Sequence, residues 1–116
     1  MSDERELRKG STQTLILAVL TAGPLHGYAI TREIKRRSAD ALEIGEGSLY
    51  PILRAMEREE LVSSAWDVQE SGPARRVYSL TEKGKTALAR QEATWRQFTS
   101  AVNLVLDSAG TTEAAK

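Results

Sequence analysis

Residues recur at seven-residue spacing in the last quarter of this 116-residue chain, and this spacing limits what the chain can fold into. The two rows of the repeat, with one polar member, are Leu88, Trp95 and Val102, and Gln91, Phe98 and Val105. Thr81 is a suitable N-cap and Gly110 a suitable stop, so the pattern predicts a helix over about residues 82–108. That helix would be about 40 Å long at 1.5 Å per residue, too long for the rest of the chain to cover. Its apolar stripe therefore needs another surface, which a two-fold homodimer provides.

Two helical segments are predicted near the start of the chain. The first follows an N-cap at Ser11 or Thr12, is apolar on more than one face, and ends at Gly23-Pro24. A helix of that kind is buried or contacts a partner. The second segment, HGYAITREIKRRSA, has apolar residues on one side and mostly charged residues on the other, as an amphipathic helix does.

A third helical segment, EGSLYPILRAMEREELV at 46–62, repeats apolar residues at 3-4 spacing but contains Pro51. The proline fits the first turn of a helix whose N-cap is Ser48, because the N–H it lacks has no partner there. If the helix begins nearer Gly45, the proline requires a local distortion. Both starting points remain open from the sequence.

A β-hairpin is predicted after the third helix. One extended run includes Leu61 and Trp66, another covers Val77 to Leu80, and the turn-rich stretch QESGPAR separates them. Three helices, a hairpin and a long helix follow one another in the order of a winged helix-turn-helix. The expected fold class is mainly α with a small β-hairpin.

The predicted domain organisation follows from this order of elements. A winged helix-turn-helix domain is expected over 8–80, followed by a long C-terminal dimerisation helix over 81–108. The ends, at 1–7 and 109–116, are expected to be flexible.

Composition excludes several classes of protein. The chain has no cysteine, which rules out disulfides, a cysteine nucleophile and a cysteine-ligated zinc site. No apolar run is long enough to span a bilayer and the N-terminus lacks a secretory h-region, so we expect a cytoplasmic protein. The net charge of +0 counts against a strongly basic nucleic-acid binder, but a basic face can coexist with acidic residues elsewhere. Such a distribution predicts weak non-specific binding and marked salt sensitivity.

The chain resembles the PadR family of transcriptional regulators, in the short form with one C-terminal helix. The matching pieces are LILAVLTAGPLHGYAI at 15–30, GSLYPILRAMEREELV at 47–62 and RRVYSLTEKGKTAL at 75–88, and the resemblance covers roughly 8–106. It implies a winged-helix head, a dimer built from the first and last helices, and repression of nearby promoters. One position departs from the pattern, because Glu60 occupies a site that is usually glycine, and this leaves the end of the third helix undefined.

The third helix carries the first candidate DNA contacts. The second helix of a helix-turn-helix enters the major groove N-terminus first, which favours Ser48, Leu49 and Tyr50 as DNA-binding residues. Arg54 and Arg58, one turn apart, can reach phosphate or a guanine edge. In the competing interpretation Ser48 only caps the helix, Tyr50 packs under the hairpin, and the arginines pair with neighbouring glutamates in water.

Basic residues outside that helix are further candidates. Arg75 and Arg76 follow the hairpin tip, where arginine is favoured along the DNA backbone or minor groove. Neighbours on a strand point to opposite sides, so at most one is expected to face DNA easily. Lys35 ends the second helix, where it either contacts phosphate or stabilises the negative helix end.

The predicted dimer interface consists of apolar residues on the first and last helices: Leu15, Val19, Leu88, Trp95, Phe98, Val102 and Val105. Trp95 has a second possible role. The resemblance implies that tryptophans on this helix can flank a cavity for flat aromatic ligands, which stack well on indole. The alternative is that Trp95 is only an interface residue.

The sequence thus predicts a sequence-specific regulator that binds palindromic, double-stranded operator DNA as a homodimer and is a repressor released by a small-molecule effector. The alternative is a winged-helix adaptor that binds another protein, because the fold alone does not decide function. No enzyme, metal site or cofactor is expected. The single histidine, His26, is assigned a structural role at a helix cap, and no catalytic constellation is visible.

Overall fold

The computed structural model describes the backbone of residues 2–114 and the side chains of residues 10–108. Within that range the chain forms four helices and a three-stranded antiparallel sheet. The elements are α1 (Ser2–Leu20), β1 (Leu25–His26), α2 (Gly27–Arg37), α3 (Glu46–Arg58), β2 (Val62–Asp67), β3 (Arg75–Leu80) and α4 (Glu82–Ala114). The predicted fold class, a winged helix-turn-helix with a long C-terminal helix, is confirmed.

The core of the head lies between the first three helices and the sheet. The 3-4 spacing of apolar residues along α3 buries Leu49, Leu53 and Met56 completely, and Ile30 and Ile34 of α2 pack beside them. The remaining buried apolar residues come from α1, the junction of α3 with β2 and the middle of β3: Ile16, Leu17, Val19, Leu20, Leu61, Val62 and Tyr78. This core holds α3 in place with its opposite face in solvent.

The sheet contains a strand that the sequence did not reveal. β1 pairs with β3, Leu25 opposite Tyr78 and His26 opposite Val77, so the strand order is β1-β3-β2. A strand of two residues shows no alternation, which is why only a hairpin was predicted. The hairpin itself is confirmed, with β2 and β3 antiparallel from Val62 opposite Leu80 to Asp67 opposite Arg75. β1 ties the N-terminus of α2 to the central strand.

The start of α3 differs from the prediction based on Ser48. Gly45 is the N-cap, and its carbonyl accepts from the backbone N–H groups of Ser48 at 3.1 Å and Leu49 at 3.0 Å. Pro51 therefore lies inside the helix, where it cannot donate to the carbonyl of residue 47. That carbonyl belongs to an exposed glycine in the first turn, so the helix continues through the proline.

The end of α3 adopts the geometry that a glycine at position 60 would favour. Glu59 is the C-cap, and Glu60 has a positive φ of 65°. The N–H of Leu61 donates to the carbonyl of Met56 at 2.9 Å, and that of Glu60 donates to Glu57 at 3.0 Å. These two bonds form a Schellman motif, with Leu61 and Met56 both buried against it. Glu60 thus takes the left-handed conformation without the residue best suited to it.

Both terminal helices are longer than predicted. α1 begins at Ser2 rather than at Ser11 or Thr12, because the preceding charged residues are good helix formers and Gly10 alone does not end the helix. α4 has its predicted N-cap, since the hydroxyl of Thr81 accepts from the N–H of Gly84 at 2.9 Å. α4 then continues past Gly110 for 33 residues in all, about 50 Å at 1.5 Å per residue. The flexibility expected at 1–7 and 109–116 stays a prediction, because the side chains at these ends and all of residues 1, 115 and 116 lie outside the described part. The division into two domains also stays a prediction.

The long helix gives the chain an elongated shape. Its principal extents are 70 × 27 × 27 Å, so much of α4 projects beyond the head. The first turn of α4 packs so closely on the α3–β2 junction that a Cβ on Gly84 would collide with the carbonyl oxygen of Leu61. Further along, the hydroxyl of Thr14 on α1 donates to the side-chain oxygen of Gln91 at 2.7 Å. Gln91, the polar member of the heptad rows, thus fixes α4 against α1 within the subunit.

Candidate nucleic-acid interface

A cleft of about 700 Å³ separates the exposed side of α3 from the hairpin. We call it the wing cleft. Its lining comes from β1, α2, α3 and both hairpin strands: His26, Gly27, Tyr28, Tyr50, Arg54, Glu57, Trp66, Ala74, Arg75, Arg76 and Tyr78. Three arginines and one glutamate are its charged residues, so the cleft is basic. Tyr78 is 3% exposed, and burial is the main cause that raises the pKa of its phenol above the ordinary value.

The exposed face of α3 presents two of the predicted arginines. Arg54 and Arg58 are both exposed, and neither has a carboxylate within 4.0 Å among the described side chains. The competing interpretation, in which they pair with neighbouring glutamates, is therefore not what the structure contains. Ser48 is also exposed in the first turn and is not the N-cap.

Leu49 is a correction to the predicted set of DNA contacts. Its side chain is 0% exposed and belongs to the core cluster. The reason is the helical period, since Leu49 precedes the buried Leu53 by one turn and shares its face. Leu49 therefore supports α3 from beneath and has no surface to offer to a ligand.

Tyr50 is half-buried and packs against the start of α2. A Cβ added to Gly27 would lie 2.7 Å from Cζ of the Tyr50 ring and 2.8 Å from its Cε1. The ring thus occupies the space that only a glycine at position 27 leaves free. The packing alternative holds in part, although the ring lies under α2 as well as beside the hairpin, and it still lines the wing cleft.

Arg76 is held by contacts on several sides. Its Nε donates to the hydroxyl of Ser64 at 2.9 Å, and its Nη2 lies 3.7 Å from the carboxylate of Glu57. Its guanidinium covers the Trp66 ring at 5.2 Å from the centroid. The Ser64 hydroxyl in turn donates to Glu57 at 2.6 Å, which closes the network.

Arg75 has a different partner from its neighbour. Its Nη1 lies 3.0 Å from Nε2 of His26, and no carboxylate lies within 4.0 Å of it among the side chains described. Both arginines nevertheless line the wing cleft, whereas we expected that only one would do so easily. Neighbouring side chains on a strand leave it on opposite faces, but arginine is long and flexible enough for both to reach the cleft.

His26 has the structural role that the sequence predicted. It is the N-cap of α2, and its Nδ1 accepts from the N–H of Ala29 at 3.4 Å. A neutral imidazole has one acceptor nitrogen, so His26 accepts either from Ala29 or from Arg75 at a given time. The hydrogen bond from Arg75 to His26 therefore forms only while His26 does not accept from Ala29.

The basic residues at the end of α2 are paired with carboxylates, although two of them share one glutamate. Glu33 binds Arg36 at 2.5 Å and Arg37 at 2.8 Å, and these hydrogen bonds, that from Arg36 first, lower the pKa of Glu33 to about 2. Lys35 lies 3.6 Å from the carboxylate of Glu43 and does not line the wing cleft. Of the predicted DNA contacts that are exposed or half-buried, Lys35 is the one least supported by its surroundings.

The apolar residues of α4 are largely exposed. Trp95 is 54% exposed and Phe98 58%, with ring centroids 6.2 Å apart, and Val102 and Val105 continue the stripe. Two more apolar residues, Leu104 and Leu106, are also exposed and fall outside the predicted heptad rows.

Three residues of the predicted dimer interface lie nearer the head. Leu15 and Leu88 are half-buried against the core cluster of their own subunit. Val19 is a correction, since it is only 3% exposed within one subunit and has little surface left for a second one. The apolar character of α1 is explained by the core of the subunit itself.

Two aromatic residues of the cleft region were missed in the sequence. Tyr28 is 53% exposed and Trp66 63%, and each has an arginine over its ring, Arg32 at 5.5 Å and Arg76 at 5.2 Å. For Tyr28 the available signal was Arg32, one helical turn later, whereas Trp66 has no basic residue close to it in the sequence.

The described residues include neither a metal-binding cluster nor a membrane-spanning helix. No group of three histidine, cysteine, aspartate or glutamate side chains in that part of the chain could hold a metal ion. Likewise, none of the helices within it combines the length and apolar composition needed to cross a lipid bilayer.

Comparison with known proteins gives consistent matches. The sequence profile of the transcriptional regulator PadR-like family matches residues 16–90. Transcriptional regulator Rv3488 of Mycobacterium tuberculosis is 33% identical over 84 residues, 72% of this chain and 75% of that protein. A PadR-like transcription factor from Bacteroides fragilis superposes with a TM-score of 0.76 at 30% identity, over 90% of this chain and 99% of that one. Bacillus subtilis PadR, solved in complex with operator DNA, has a TM-score of 0.62 at 27% identity, over 67% of this chain and 44% of that one.

The head, the hairpin and the basic cleft between them define a winged-helix protein. The profile match covers well over half of the chain, and the similarity extends over nearly all of the Bacteroides fragilis structure. This chain belongs to the PadR-like family of transcriptional regulators. The resemblance seen in the sequence is thereby confirmed.

Proposed function

We propose that this regulator binds operator DNA in a sequence-specific manner, with α3 as its recognition helix in the major groove. The observation that carries the proposal is the pair Arg54 and Arg58, which are exposed on α3 and have no carboxylate partner among the described side chains. Arginine without an internal partner is suited to bind a guanine edge or a phosphate. The complex of Bacillus subtilis PadR with operator DNA supports this assignment by similarity.

The hairpin acts as the wing in this proposal. Arg75 and Arg76 line the same cleft as Arg54, so a DNA backbone lying along the cleft meets all three guanidinium groups. Ser48 and Tyr50 add polar contacts at the first turn of α3. Lys35 remains a candidate phosphate contact at the margin of this surface.

Dimerisation supplies a second recognition helix for the other half of the operator. The exposed stripe of Trp95, Phe98, Val102 and Val105 on α4 is continuous and apolar. A two-fold axis along this stripe buries it and sets two recognition helices at a fixed separation. The operator is therefore palindromic, and the regulator acts as a repressor that a small-molecule effector releases.

The effector in this proposal is a flat aromatic compound that stacks on Trp95. Trp95 and Phe98 form a tilted pair of exposed rings, which suits an aromatic guest. Fluorescence titration with planar aromatic compounds should quench Trp95 emission, and a ligand found in this way should weaken operator binding. If a broad panel neither quenches emission nor shifts the melting temperature, the effector site is wrong.

An electrophoretic shift experiment with the region upstream of the coding sequence tests DNA binding. We expect a salt-dependent shift that Arg54→Ala combined with Arg58→Ala abolishes or strongly reduces, while the α4 variant Arg90→Ala retains it. Unchanged binding in the double variant would contradict the role of α3. No binding to any duplex at low ionic strength would instead favour a protein-interaction adaptor.

A further inference from the structure

We propose that a second cleft, beside α2, binds a phosphate of the DNA backbone next to the operator half-site. The cleft measures about 450 Å³, and its lining includes Tyr28, Arg32, Arg36 and Arg75. We call it the flank cleft. The inference rests on the proposed DNA-binding function and adds a contact outside the recognition helix.

The charge of the flank cleft is positive and largely uncompensated. Three arginines line it, together with the carboxylate of Glu33. Both oxygens of that carboxylate are already bound, one by Arg36 and Arg37 at 2.5 and 2.8 Å and the other by Nε of Arg36 at 3.2 Å. Arg32 and Arg75 have no carboxylate within 4.0 Å in the described part of the chain. Two guanidinium groups therefore remain for an external anion.

Arg32 is oriented before any ligand arrives. It follows Tyr28 by one helical turn, and its guanidinium lies over the Tyr28 ring at 5.5 Å from the centroid. Stacking covers one face of the guanidinium plane and leaves the N–H groups at its edge able to donate. A phosphate is the ligand whose oxygens best match that edge, through two parallel charge-assisted hydrogen bonds.

Arg75 connects the two clefts. Arg75, His26 and Tyr28 line both the flank cleft and the wing cleft, so the clefts share a boundary. The contact of Arg75 with His26 uses one of its five N–H donors and competes with the cap of α2. A DNA strand that follows the wing cleft past Arg54 and Arg76 therefore continues across Arg75 to Arg32.

The experiment begins with a duplex selected from a random pool by the wild-type protein, together with an unrelated duplex of equal length. Affinity is measured for both between 0.05 and 0.3 M salt, values on the order of those at which phosphate contacts are resolved. The variants are Arg32→Ala, Arg32→Lys and the control Arg90→Ala, which removes one exposed positive charge from α4 outside both clefts. Thermal unfolding of each variant establishes that it is folded.

Loss of one phosphate contact lowers the slope of log affinity against log salt by about 0.9 for each subunit. At about 0.15 M salt, each lost contact weakens the affinity about fivefold. We expect Arg32→Ala to show this loss equally on both duplexes, so the ratio of the two affinities stays the same. Arg32→Lys should retain most of the slope because it retains the charge. Arg90→Ala should match the wild type.

Each other outcome overturns a different statement. Wild-type affinity and slope in folded Arg32→Ala would show that the flank cleft is not a phosphate site, with the proposed function unaffected. A loss confined to the selected duplex would mean that Arg32 reads bases. Stabilisation by inorganic phosphate that Arg32→Ala removes, with an unchanged DNA slope, would assign the cleft to a free anion. If the wild-type protein enriches no duplex, the proposed function itself fails.

Discussion

The guanidinium group of Arg76 lies over the ring of Trp66, directly opposite it in the hairpin register. Ser64 of β2 and Glu57 of α3 hold the same guanidinium, at 2.9 and 3.7 Å. A side chain with contacts of these kinds loses less rotamer freedom on binding than a free arginine does. Arg76 is therefore oriented toward the wing cleft before DNA arrives, and Trp66 reports on that cleft.

The first prediction uses Trp66 as that reporter. The chain has two tryptophans, so Trp95→Phe leaves only Trp66 and Trp66→Phe leaves only Trp95. We expect operator DNA to change the emission of Trp66 in the first variant and to leave Trp95 nearly unchanged in the second, because only Trp66 lines the wing cleft. The reverse result would place the DNA on the α4 side of the molecule.

The contact between Gly27 and Tyr50 gives a stability prediction. Gly27→Ala adds a Cβ that collides with the Tyr50 ring, and overpacking of this kind costs about 1–3 kcal/mol. The penalty should shrink to a few tenths of a kcal/mol or less in a Tyr50→Ala background, where the ring is absent. A double-mutant cycle by urea unfolding measures the difference. Equal penalties in both backgrounds would contradict the contact.

Much of the fold was predictable because it depends on periodicity and on turn residues. The 3-4 spacing of Leu49, Leu53 and Met56 gives α3 its buried face, and the turn-rich stretch at 69–75 gives the hairpin. The candidate site was less predictable, because contacts such as Arg75 with His26 join residues far apart in sequence. Leu49 shows most clearly where prediction of the site failed. Its position near the start of the helix suggested a DNA contact, whereas its face of the helix required burial.

The end of α3 yields the third prediction. Glu60 has a φ of 65°, a conformation that costs a non-glycine residue roughly 1–2 kcal/mol. Glu60→Gly should therefore raise the free energy of unfolding by about 0.5–1 kcal/mol, after the greater flexibility of glycine in the unfolded chain is included. The control is Glu59→Gly, because Glu59 has a φ of −83° that any residue adopts. This variant should lower the free energy of unfolding. Similar effects from both variants would show that the left-handed residue is not strained.

Glu33 provides a prediction of pH dependence. Its pKa of about 2 lies below the value of about 4.3 that a glutamate has in an unfolded chain. A group whose pKa is lowered by folding stabilises the native state above its unfolded pKa, and this contribution is lost as the pH falls toward 2. We expect the stability of Glu33→Gln to fall less steeply than that of the wild type between about pH 4.5 and 2. Parallel curves would mean that solvent screens the pairs with Arg36 and Arg37 completely.

The last prediction concerns the exposed stripe of α4. Phe98→Glu places a charge in the centre of the apolar row, where a second subunit would have to bury it without a partner. We expect sedimentation to show a monomer for this variant and a dimer for the wild type. Ser100→Glu adds the same charge to the same helix outside the heptad rows and should remain dimeric. Because a monomer presents one recognition helix instead of two, Phe98→Glu should also bind the operator at least tenfold more weakly, on the order of the loss expected when two linked contacts become one. A wild-type protein that sediments as a monomer would contradict the dimer, whereas a dimeric Phe98→Glu would move the interface elsewhere on the chain.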